Sequence, residues 1–541
     1  MMTKFRYIII LFFISNITFA QYEMTPKGFK LSGIEFKTYK SELTKDNIKV
    51  TVNPNKSKFP ISNFITDIFP TGDTVWFATG GGLMRTIDKF NSFENFYGLP
   101  PFGNDDMSGL IVYNNIVVVA TAISQEISGE NVPVGTGIKV STDRGMSWSA
   151  FPQPIDGRYD TTVVYGSNNL YALPVVVPQQ NLSYDIAVTR TKNDLNNYTI
   201  WITSFGGGTR KSTDYGTTWQ RVVLPPDNLD SINITNTGYT FAVNPRDNLN
   251  HRAFTVEAMN DSVIFIGTAN GINKSTDWGL SWRKYNFLNS GNGQNRVSGN
   301  FVVNFHIQRY GNNSIIWAAT RKAEDNNEVN AISYSSNGGL NWRYTLKDIS
   351  PNNISSKDSI VYAQTDGGLW RCVFNDFNWT KPGLIYDETT KDQLRTNSFY
   401  SGARINDTIY FGSNDGLIRT VEYGQPWSNK WKIFRAMKAI DLNSDTKTYA
   451  APNPFSPNNE VVRLFYKTGK ASSKITIKIF DFGMSPVRTV IQNALRYSAD
   501  ELFTIWDGKN NDGYQVANGV YFYRIEADDD KPVWGKIIVL Q

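Results

Sequence analysis

Two segments of the chain carry carboxylates that could do acid–base chemistry. The acids are Glu126 and Glu130 in the segment Ala122 to Thr136, and Glu324, Asp325 and Glu328 in the segment Arg321 to Asn330. Two carboxyl groups are enough to hydrolyse a glycosidic bond, one as the acid and the other as base or nucleophile. We therefore carry a glycan-directed hydrolase as one hypothesis for this chain, with these five acids as its candidates.

The sequence offers few other candidate catalytic residues. The chain has two histidines far apart in sequence, His251 and His306, and one cysteine, Cys372. It contains no H-E-x-x-H motif, no paired cysteines and no G-x-S-x-G nucleophile elbow. The sequence therefore lacks the residues that zinc hydrolases and Ser-His-Asp hydrolases require. The sequence predicts no metal and no cofactor. We expect both histidines to be hydrogen-bonded sheet residues and Cys372 to be a buried apolar residue.

The elements that must position the acids are indicated by a repeated eight-residue phrase. It reads STDRGMSW, STDYGTTW, STDWGLSW and SSNGGLNW in four copies that begin at residues 141, 212, 275 and 335, so they start 71, 63 and 60 residues apart. These spacings are typical of one four-stranded propeller blade with long loops. The key positions are Asp143, Gly145 and Trp148; Asp214, Gly216 and Trp219; Asp277, Gly279 and Trp282; and Asn337, Gly339 and Trp342.

Three worn copies extend the count to seven. Before each phrase lies an apolar strand ending in Ala/Gly-Thr, then a glycine-rich turn, and the same unit recurs at 75–86, 361–371 and 409–420. Asp88 and Phe93 fall at the phrase's Asp and Trp positions in the first of these units, Trp379 follows the second, and Glu422 and Trp427 follow the third. We predict an all-β seven-bladed β-propeller over residues 55–435, with six or eight blades as alternatives.

The phrase resembles the Asp-box, or BNR, repeat of sialidases, sortilin-type receptors and many secreted glycan-binding proteins. The resemblance implies that its Asp is structural and that its Trp packs between blades. Sialidases also carry an arginine in a Phe-Arg-Ile-Pro-like segment before the first box. This chain has Lys58-Phe59-Pro60-Ile61 in that region, so the resemblance does not extend to sialidase activity.

Strand order predicts where a ligand would bind. If the Asp-box joins the third and fourth strands of each blade, the turns between the second and third strands lie on the opposite face. The two acid-bearing segments are the longest of those turns, in blades two and five, and long loops on a rigid scaffold often carry recognition. We expect them to bound a groove across one mouth of the ring. Solvated loops without a ligand are the alternative.

Composition indicates a secreted all-β protein. Aromatic residues make up 14% of the chain, and strands rich in Val, Ile, Tyr and Thr alternate with Asn, Gly, Asp and Ser turns, without a sustained helical period. The net charge of +5 comes from scattered residues, which argues against a nucleic-acid-binding surface. We therefore predict no nucleic-acid partner. No later apolar run is long enough to span a membrane, so we also predict no membrane span in the mature chain.

The first twenty residues have the pattern of a signal peptide. Lys4 and Arg6 precede an apolar stretch from Tyr7 to Phe13, and Thr18 and Ala20 stand at positions −3 and −1 of a cleavage site. We expect export through the periplasm to the medium or the outer cell surface. Residues 21–54 form an N-terminal segment that is a candidate for helping to close the propeller.

A second domain follows a proline-rich linker at 436–452. Its landmarks are Asn453-Pro454-Phe455, Ile477-Lys478-Ile479-Phe480-Asp481, Trp506-Asp507-Gly508 and Asn518-Gly519-Val520-Tyr521. This pattern resembles the Ig-like fold of the flagellar hook-cap protein and of the C-terminal modules of secreted Bacteroidota-type proteins. The resemblance implies that residues 453–541 are an Ig-like β-sandwich read by the type IX secretion machinery. A turn at Gly483-Met484 departs from the family's usual Gly-Arg or Gly-Lys.

Two functional classes remain open on the sequence. The first is a non-enzymatic binding or adhesion propeller at the cell surface that recognises a glycan or a protein. The second is the polysaccharide-directed hydrolase introduced above. We favour the first because no catalytic constellation can be assembled from the sequence and the boxes fulfil their structural role alone.

Overall fold

The computed structural model describes residues 49–541 except 128–129, 391, 395, 428–429, 437–447, 459–460, 498–500 and 529. The expected signal peptide, residues 1–20, and most of the segment 21–54 lie outside the described residues. The chain divides into two compact units, Met1–Arg435 and Ala436–Gln541. The described residues form strands and no α-helix, which confirms the all-β prediction. No helix in the described part of the chain has the length and apolarity needed to cross a bilayer.

The first two strands are short and lie at the outer edges of sheets built by later residues. They are β1 (Val50–Thr51) and β2 (Asn55–Ser57). Sheet 1 consists of β3 (Ile65–Thr71), β4 (Thr74–Thr79), β5 (Gly82–Thr86) and β6 (Phe93–Asn95), with β2 beside β6. Sheet 2 consists of β7 (Asp106–Tyr113), β8 (Ile116–Ile127), β9 (Glu130–Ser141) and β10 (Ser147–Phe151), with β1 beside β10.

Sheets 3 and 4 are separated from their predecessors by long insertions. The first insertion contains the hairpin β11 (Thr162–Tyr165) and β12 (Asn168–Tyr171). Sheet 3 follows with β13 (Asp185–Thr191), β14 (Asp194–Ser204), β15 (Gly208–Ser212) and β16 (Gln220–Arg221). The second insertion holds β17 (Ser231–Ile232) and a single 3-10 turn, Leu249–His251. Sheet 4 is β18 (Ala253–Ala258), β19 (Ile264–Thr268), β20 (Gly271–Ser275) and β21 (Trp282–Tyr285), with β17 beside β21.

The last three sheets of the first unit vary in their outer strands. Sheet 5 is β22 (Phe301–Tyr310), β23 (Asn313–Arg321), β24 (Ala331–Ser335) and β25 (Arg343–Thr345). Sheet 6 has three strands, β26 (Pro351–Lys357), β27 (Ile360–Thr365) and β28 (Gly368–Val373), followed by the small pair β29 (Tyr386–Asp387) and β30 (Asp392–Gln393). Sheet 7 is β31 (Phe399–Ile405), β32 (Thr408–Ser413), β33 (Leu417–Val421) and β34 (Lys432–Phe434).

The sheets are arranged in a closed ring, which is the architecture of a β-propeller. The first strands of consecutive sheets contact one another from β3 through β7, β13, β18, β22 and β26 to β31, and β31 contacts β3 again. Second strands such as β4, with the sequence TVWFAT, are buried on both faces because each sheet is packed between two neighbours. This explains why they read as continuous apolar runs rather than alternating ones.

The seam between sheets 1 and 7 is closed by side chains and by one bond between backbone groups, in which the N–H of Gly416 donates to the carbonyl of Asn63 at 2.8 Å. No described strand is shared between these two sheets. Phe90 stacks on Tyr410 with ring centroids 4.6 Å apart and planes 9° from parallel, and the Ser401 hydroxyl donates to the carbonyl of Ile65 at 3.3 Å. Ring closure here therefore depends on packing rather than on a sheet completed by both ends of the chain.

In sheets 1, 4, 6 and 7 the glycine-rich turn is anchored by the hydroxyl that ends the second strand. Thr79 donates to the carbonyl of Gly82 at 2.7 Å and accepts the N–H of Gly81. The same bond across the turn is made by Thr268, Thr365 and Ser413. The repeated Thr/Ser-x-x-Gly pattern therefore corresponds to a local hydrogen bond that stabilises the second hairpin of these sheets.

The second unit consists of two sheets with a shared core. Their strands are β35 (Thr448–Ala451), β36 (Val462–Lys467) and β39 (Glu501–Trp506) in one sheet, and β37 (Ser473–Phe480), β38 (Pro486–Arg496), β40 (Gly519–Ala527) and β41 (Val533–Val539) in the other. Side chains from both sheets, including Leu464, Trp506, Ile477 and Ile537, are buried in one cluster.

The prediction of a linker as far as residue 452 is wrong at its end. Residues 448–451 pair with β36, and Tyr449 stacks on Phe465 with ring centroids 4.6 Å apart. Tyr449 and its neighbours cover the half-buried edge of the sheet at β36. The prediction is based on the prolines that follow, and these do not reveal the pairing. Residues 437–447 of the expected linker lie outside the described residues.

The Asn453-Pro454-Phe455 motif covers the free edge of the final strand. The Asn453 side chain donates to the carbonyl of Lys536 and accepts the N–H of Ile538, both at 2.8 Å. Phe455 continues the pairing through N–H and C=O bonds to Ile538 and Leu540, each 3.0 Å long. Polar groups on an exposed strand edge invite pairing with other chains, and this motif occupies them.

Candidate functional site

The four Asp-box phrases form hairpin turns of one design, each in a different sheet. The side-chain oxygen of Asp143 accepts the N–H of Ser147 at 2.9 Å, and Asp214, Asp277 and Asn337 accept the equivalent N–H groups at 2.8–3.0 Å. The first serine of each phrase donates to this oxygen and accepts the glycine N–H, as Ser141 does for Gly145 at 2.8 Å. The side chains of the first serine and of the Asp or Asn are thus engaged in the turn itself.

The worn boxes follow the same design to different degrees. Asp88 accepts the N–H of Ser92 at 2.9 Å and the hydroxyl of Thr86, as in a complete box. Glu422 accepts the N–H of Gly424 at 2.7 Å but also pairs with Arg371 of sheet 6. The longer side chain therefore converts a local turn into a link between two sheets.

The box glycines are required both by backbone conformation and by a close neighbour. Gly279 has φ of +75°, and a Cβ at this position would lie 2.5 Å from Cη2 of Trp201 in the preceding sheet. Gly145 and Gly339 meet Trp76 and Phe265 in the same way, at 2.4 and 2.6 Å. The box glycine is the point at which one sheet touches the aromatic core of its neighbour.

We expect Gly279→Ala to lower the free energy of unfolding by about 2–5 kcal/mol, measured by denaturant titration. About 1–2 kcal/mol comes from the left-handed backbone and about 1–3 kcal/mol from the overlap with Trp201, which is buried and cannot withdraw. Gly311 is the matched control, because it has φ of +58° with nothing within 4 Å of an added Cβ. Equal losses in the two variants would contradict the close contact.

The box tryptophans are not equally buried. Trp148, Trp282 and Trp342 are 0–2% exposed, whereas Trp219 is only partly buried. Trp219 packs against the cluster between sheets 2 and 3, as predicted, but the prediction that it is fully buried there is wrong. The physical reason is that its sheet ends in β16, a strand of two residues, so the indole has less of its own sheet to pack against.

The box carboxylates make the propeller sensitive to acid. In Asp143, Asp214 and Asp277, burial raises the pKa, but hydrogen bonds from the residue four positions on and from the first serine outweigh it, and the pKa lies below its usual range. A carboxylate with a depressed pKa stabilises the fold above its unfolded-state pKa, about 3.9, and that stability is lost as the pH falls through the folded pKa.

We therefore expect the melting temperature of the first unit to fall steeply below about pH 4. Replacing Asp143, Asp214 and Asp277 together by asparagine should flatten this part of the profile, because Asn337 shows that the turn accepts an amide that does not titrate. An unchanged acid profile in the triple variant would show that other carboxylates cause the loss. Circular dichroism melts between pH 2 and 7 would measure it.

The first acid-bearing segment is a strand hairpin and not a loop. Residues of β8 and β9 pair as far as Ile127 and Glu130, and the tip, residues 128–129, lies outside the described residues. The prediction of a loop from Ala122 to Thr136 is wrong because the hairpin has a neighbour: Gly135 donates to the carbonyl of Pro178 at 3.0 Å, and Gln180 donates to that of Pro133 at 2.8 Å. Glu126 is exposed near its end.

The second acid-bearing segment is a loop, and its last acid is structural. Glu328 is 2% exposed and accepts the N–H and the side-chain amide of Asn300 at 3.0 and 2.8 Å, and the N–H of Ala323 at 2.6 Å. Burial raises its pKa. The prediction of Glu328 as a ligand-face acid is wrong, because both of its oxygens hold the loop to the sheet. Glu324 is exposed and Asp325 is partly exposed.

The structure brings together a different set of polar residues, in a central cavity of about 400 Å3. The first strand of every sheet in the ring lines it. One residue from each strand is Asp67, Ile111, Asp185, Glu257, His306, Ser356 and Arg404. A volume of this size lies within the range of small-ligand sites in proteins.

The cavity and the predicted acids lie toward opposite ends of the ring. Most cavity residues are in the later part of the first strands, next to the turns that lead to the second strands. In an antiparallel sheet these turns are at the same end as the turns between third and fourth strands, where the Asp-boxes lie. The hairpin with Glu126 and the loop with Glu324 join second to third strands, and therefore lie at the other end.

Charged side chains of both signs line one side of the cavity. Arg404 is 3.1 Å from Asp358, which also pairs with Lys357 at 2.9 Å. The Arg309 guanidinium donates to the carbonyl of Met259 at 3.0 Å, and Glu257 lines the same space. The arrangement can hydrogen-bond a polar ligand through either donors or acceptors.

His306 and Ser356 form the one pair here that resembles a base and a nucleophile. The His306 Nε2 and Ser356 Oγ atoms are 2.7 Å apart. Burial, with a smaller effect of the positive charge of Arg309, lowers the pKa of His306 to about 4. An efficient general base has a pKa near the working pH and is oriented by a third group. The low pKa makes this imidazole a weak base, and the pair suits ligand binding better than acyl transfer.

The remaining candidate residues have structural surroundings. The thiol of Cys372 is buried, and burial raises its pKa. The prediction of a sheet residue is wrong for His251, which lies in the 3-10 turn, but its hydrogen bonding is as expected. It accepts the N–H of Asn244 at Nδ1, and its Nε2 lies 3.1 Å from the carbonyl of Leu224. Within the described ranges, no group of three His, Cys, Asp or Glu side chains is placed to hold a metal ion.

Sequence comparisons found no matching family model and no matching curated protein. Solved structures that resemble this chain include PorZ, a surface component of the type IX secretion system of Porphyromonas gingivalis, at 15% identity over 89% of this chain and 66% of PorZ, with a TM-score of 0.29. The GH74 enzyme of Niastella koreensis matches at 14% identity over 89% and 74% of the two chains, with a TM-score of 0.44. BamB of Moraxella catarrhalis matches at 11% identity over 70% and 99%, with a TM-score of 0.33.

Proposed function

We propose that this chain is a secreted or cell-surface seven-bladed β-propeller that binds a glycan or protein ligand without turning it over. The observation that carries the proposal is the central cavity of about 400 Å3, to which all seven first strands contribute. Its mixed charges favour recognition of a polar ligand, such as a sugar unit or a charged side chain presented by a protein.

The chemistry of the surroundings supports binding over hydrolysis. A glycosidase needs two carboxyl groups about 5–10 Å apart across the scissile bond. Glu328 is committed to the loop backbone, and Asp358 in the cavity is already paired with Arg404 and Lys357. These two acids therefore serve the scaffold, and Asp185 in the cavity likewise accepts the hydroxyl of Thr255 and the N–H of Val256. The cavity retains Asp67, Glu257 and the arginines for a polar ligand.

A screen of the purified protein against a polysaccharide panel, with binding and release of reducing ends measured in parallel, tests the proposal. We expect binding without release of reducing ends. Arg309→Ala, which changes the cavity, should weaken binding at least tenfold, whereas Glu126→Gln at the opposite end of the ring should leave it unchanged. The reverse pattern would move the site to the hairpin and loop, and turnover that is lost in Glu324→Gln would establish a hydrolase.

We further propose that the second unit is an Ig-like sorting or attachment module for type IX-like export. Its two sheets with a common core and its capped final strand support this role, because a self-contained module can be recognised without unfolding the propeller. Deleting residues 436–541 should leave a protease-resistant propeller in the periplasm. Normal amounts of the truncated protein at the surface would refute the sorting role, and an unfolded propeller would show a structural one.

A further inference from the structure

A small cavity of about 20 Å3 lies at the edge of sheet 3, and it shares no lining residue with the central cavity. Thr209 and Arg210 of β15 line it, together with Arg221 of β16 and Asp156 of the first insertion. The turn Gly206–Gly208 closes one side. A space of this size holds one water molecule or one monatomic ion.

The charges around the cavity do not balance. Asp156 is the partner of two guanidinium groups: Nη2 of Arg210 is 2.8 Å from Oδ1, and Nη2 of Arg221 is 2.7 Å from Oδ2. The three side chains are only 4%, 10% and 6% exposed for Arg210, Arg221 and Asp156. A buried positive charge without a counter-charge raises the free energy of the folded state, and here two guanidinium groups share one carboxylate.

Several donor atoms of the lining residues also lack a partner. Nε of Arg210, Nη1 of Arg221 and the hydroxyl of Thr209 have no hydrogen-bond partner among the described residues. A buried donor left unpaired costs about 1–3 kcal/mol, and more when it is charged. His251, which also lines the space, adds no charge, because burial lowers its pKa and its ring nitrogens are engaged elsewhere.

We propose that this cavity binds one monatomic anion of the chloride class. A water molecule accepts only two hydrogen bonds and cannot neutralise the second guanidinium, whereas a halide accepts from all directions and supplies the missing negative charge. The space of about 20 Å3 next to the arginines fits a monatomic ion more closely than the larger phosphate or sulfate. A halide is therefore the occupant that satisfies size, charge and donor number together.

The anion would hold the first insertion against the sheet. Arg221 donates to the carbonyl of Asp160 at 3.0 Å, and Asp156 accepts the N–H of Val175 at 2.7 Å, so both ends of the insertion meet at this cluster. The outermost strand of sheet 3 has only two residues and gives the insertion little backbone to pair with. Binding of the halide compensates for that short edge.

Crystals of the full chain grown with sodium bromide would test the site directly. We expect an anomalous bromine peak between the side chains of Thr209, Arg210 and Arg221. A water molecule in this position with no bromine signal would overturn the proposal. The melting temperature should rise with the concentration of sodium chloride or bromide more steeply than with sodium glutamate or acetate at equal ionic strength. Equal shifts in all four salts would also overturn it.

Variants distinguish halide binding at this site from general effects of salt on the melting temperature. Arg210→Gln should abolish the halide-specific shift, and Thr209→Val, which removes one donor and keeps the side-chain volume, should reduce it if the first variant does not fold. Arg321→Gln is the matched control: Arg321 is a buried arginine of sheet 5 whose guanidinium already donates to Pro351 and Asn352. It should lose stability and keep the halide-specific shift. Loss of that shift in the control, or its persistence in Thr209→Val and Arg210→Gln, would refute the assignment.

Discussion

Replacing Trp282 by alanine is expected to lower the free energy of unfolding by about 3–5 kcal/mol. The indole is 2% exposed and lies in a cluster that joins sheets 3 and 4, with Trp201 and Ile232 beside it. Because this interface is one link of a closed ring, a void here weakens the contact of two sheets at once. A denaturant titration monitored by the circular dichroism of the backbone, a signal that does not depend on the replaced tryptophan, would measure the loss.

Trp219 provides the matched control for this prediction. It occupies the same position of the box but is partly exposed, so its truncation should cost roughly half as much, in proportion to the apolar area it buries. Its Nε1 also donates to the carbonyl of Gly216 at 3.0 Å, a bond that water can replace. Equal losses at both positions would mean that the box tryptophan acts through its own turn rather than through burial between sheets.

The second large effect is expected at the buried pair that links sheets 6 and 7. Nε and Nη2 of Arg371 bind the two oxygens of Glu422 at 2.8 and 3.0 Å, and the hydroxyl of Tyr362 donates to the same carboxylate. The two charged side chains are 3% and 4% exposed. Burial raises the pKa of Glu422, but the bonds from Arg371 and Tyr362 outweigh it and lower that pKa, so the carboxylate stays charged.

Glu422→Ala should therefore cost about 3–5 kcal/mol, because it leaves the Arg371 guanidinium buried without a counter-charge. Glu422→Gln should cost less, since the amide oxygen still accepts one bond. The double variant Arg371→Met with Glu422→Leu should recover most of the loss, because an apolar pair of similar volume needs no desolvated charges. A double variant as unstable as Glu422→Ala would show that shape, and not the stranded charge, determines the cost.

The sequence predicted the turns well because their geometry is encoded locally. Ser, Asp and Gly in fixed order supply the hydroxyl, the acceptor and the left-handed residue that each box turn uses, within eight residues. The hydroxyl that ends the second strand is equally local in sheets 1, 4, 6 and 7. All-β architecture and the positions of the hairpins therefore follow from residues that contact each other within one turn.

The candidate site could not be predicted in the same way. The central cavity is assembled from seven strands, and its residues, such as Asp67 and Arg404, share no common motif and lie 337 positions apart in the chain. The burial of Glu328 depends on Asn300, which precedes β22, and the hairpin of Glu126 depends on Pro178 from an insertion. Each of these features is created by a tertiary neighbour that local sequence does not reveal.

The seam closed by Phe90, Tyr410 and Ser401 has a mechanical consequence. The chain leaves the ring at Arg435, directly after the outermost strand of sheet 7, so tension applied through the following residues loads that sheet first. No described strand from the other end of the chain belongs to sheet 7. Its detachment from sheet 1 is therefore resisted by side-chain packing and by isolated hydrogen bonds, from the Ser401 hydroxyl to Ile65 and from the N–H of Gly416 to Asn63. We expect a stretched molecule to lose its sheets in order, from the seventh toward the first, in a series of small force steps.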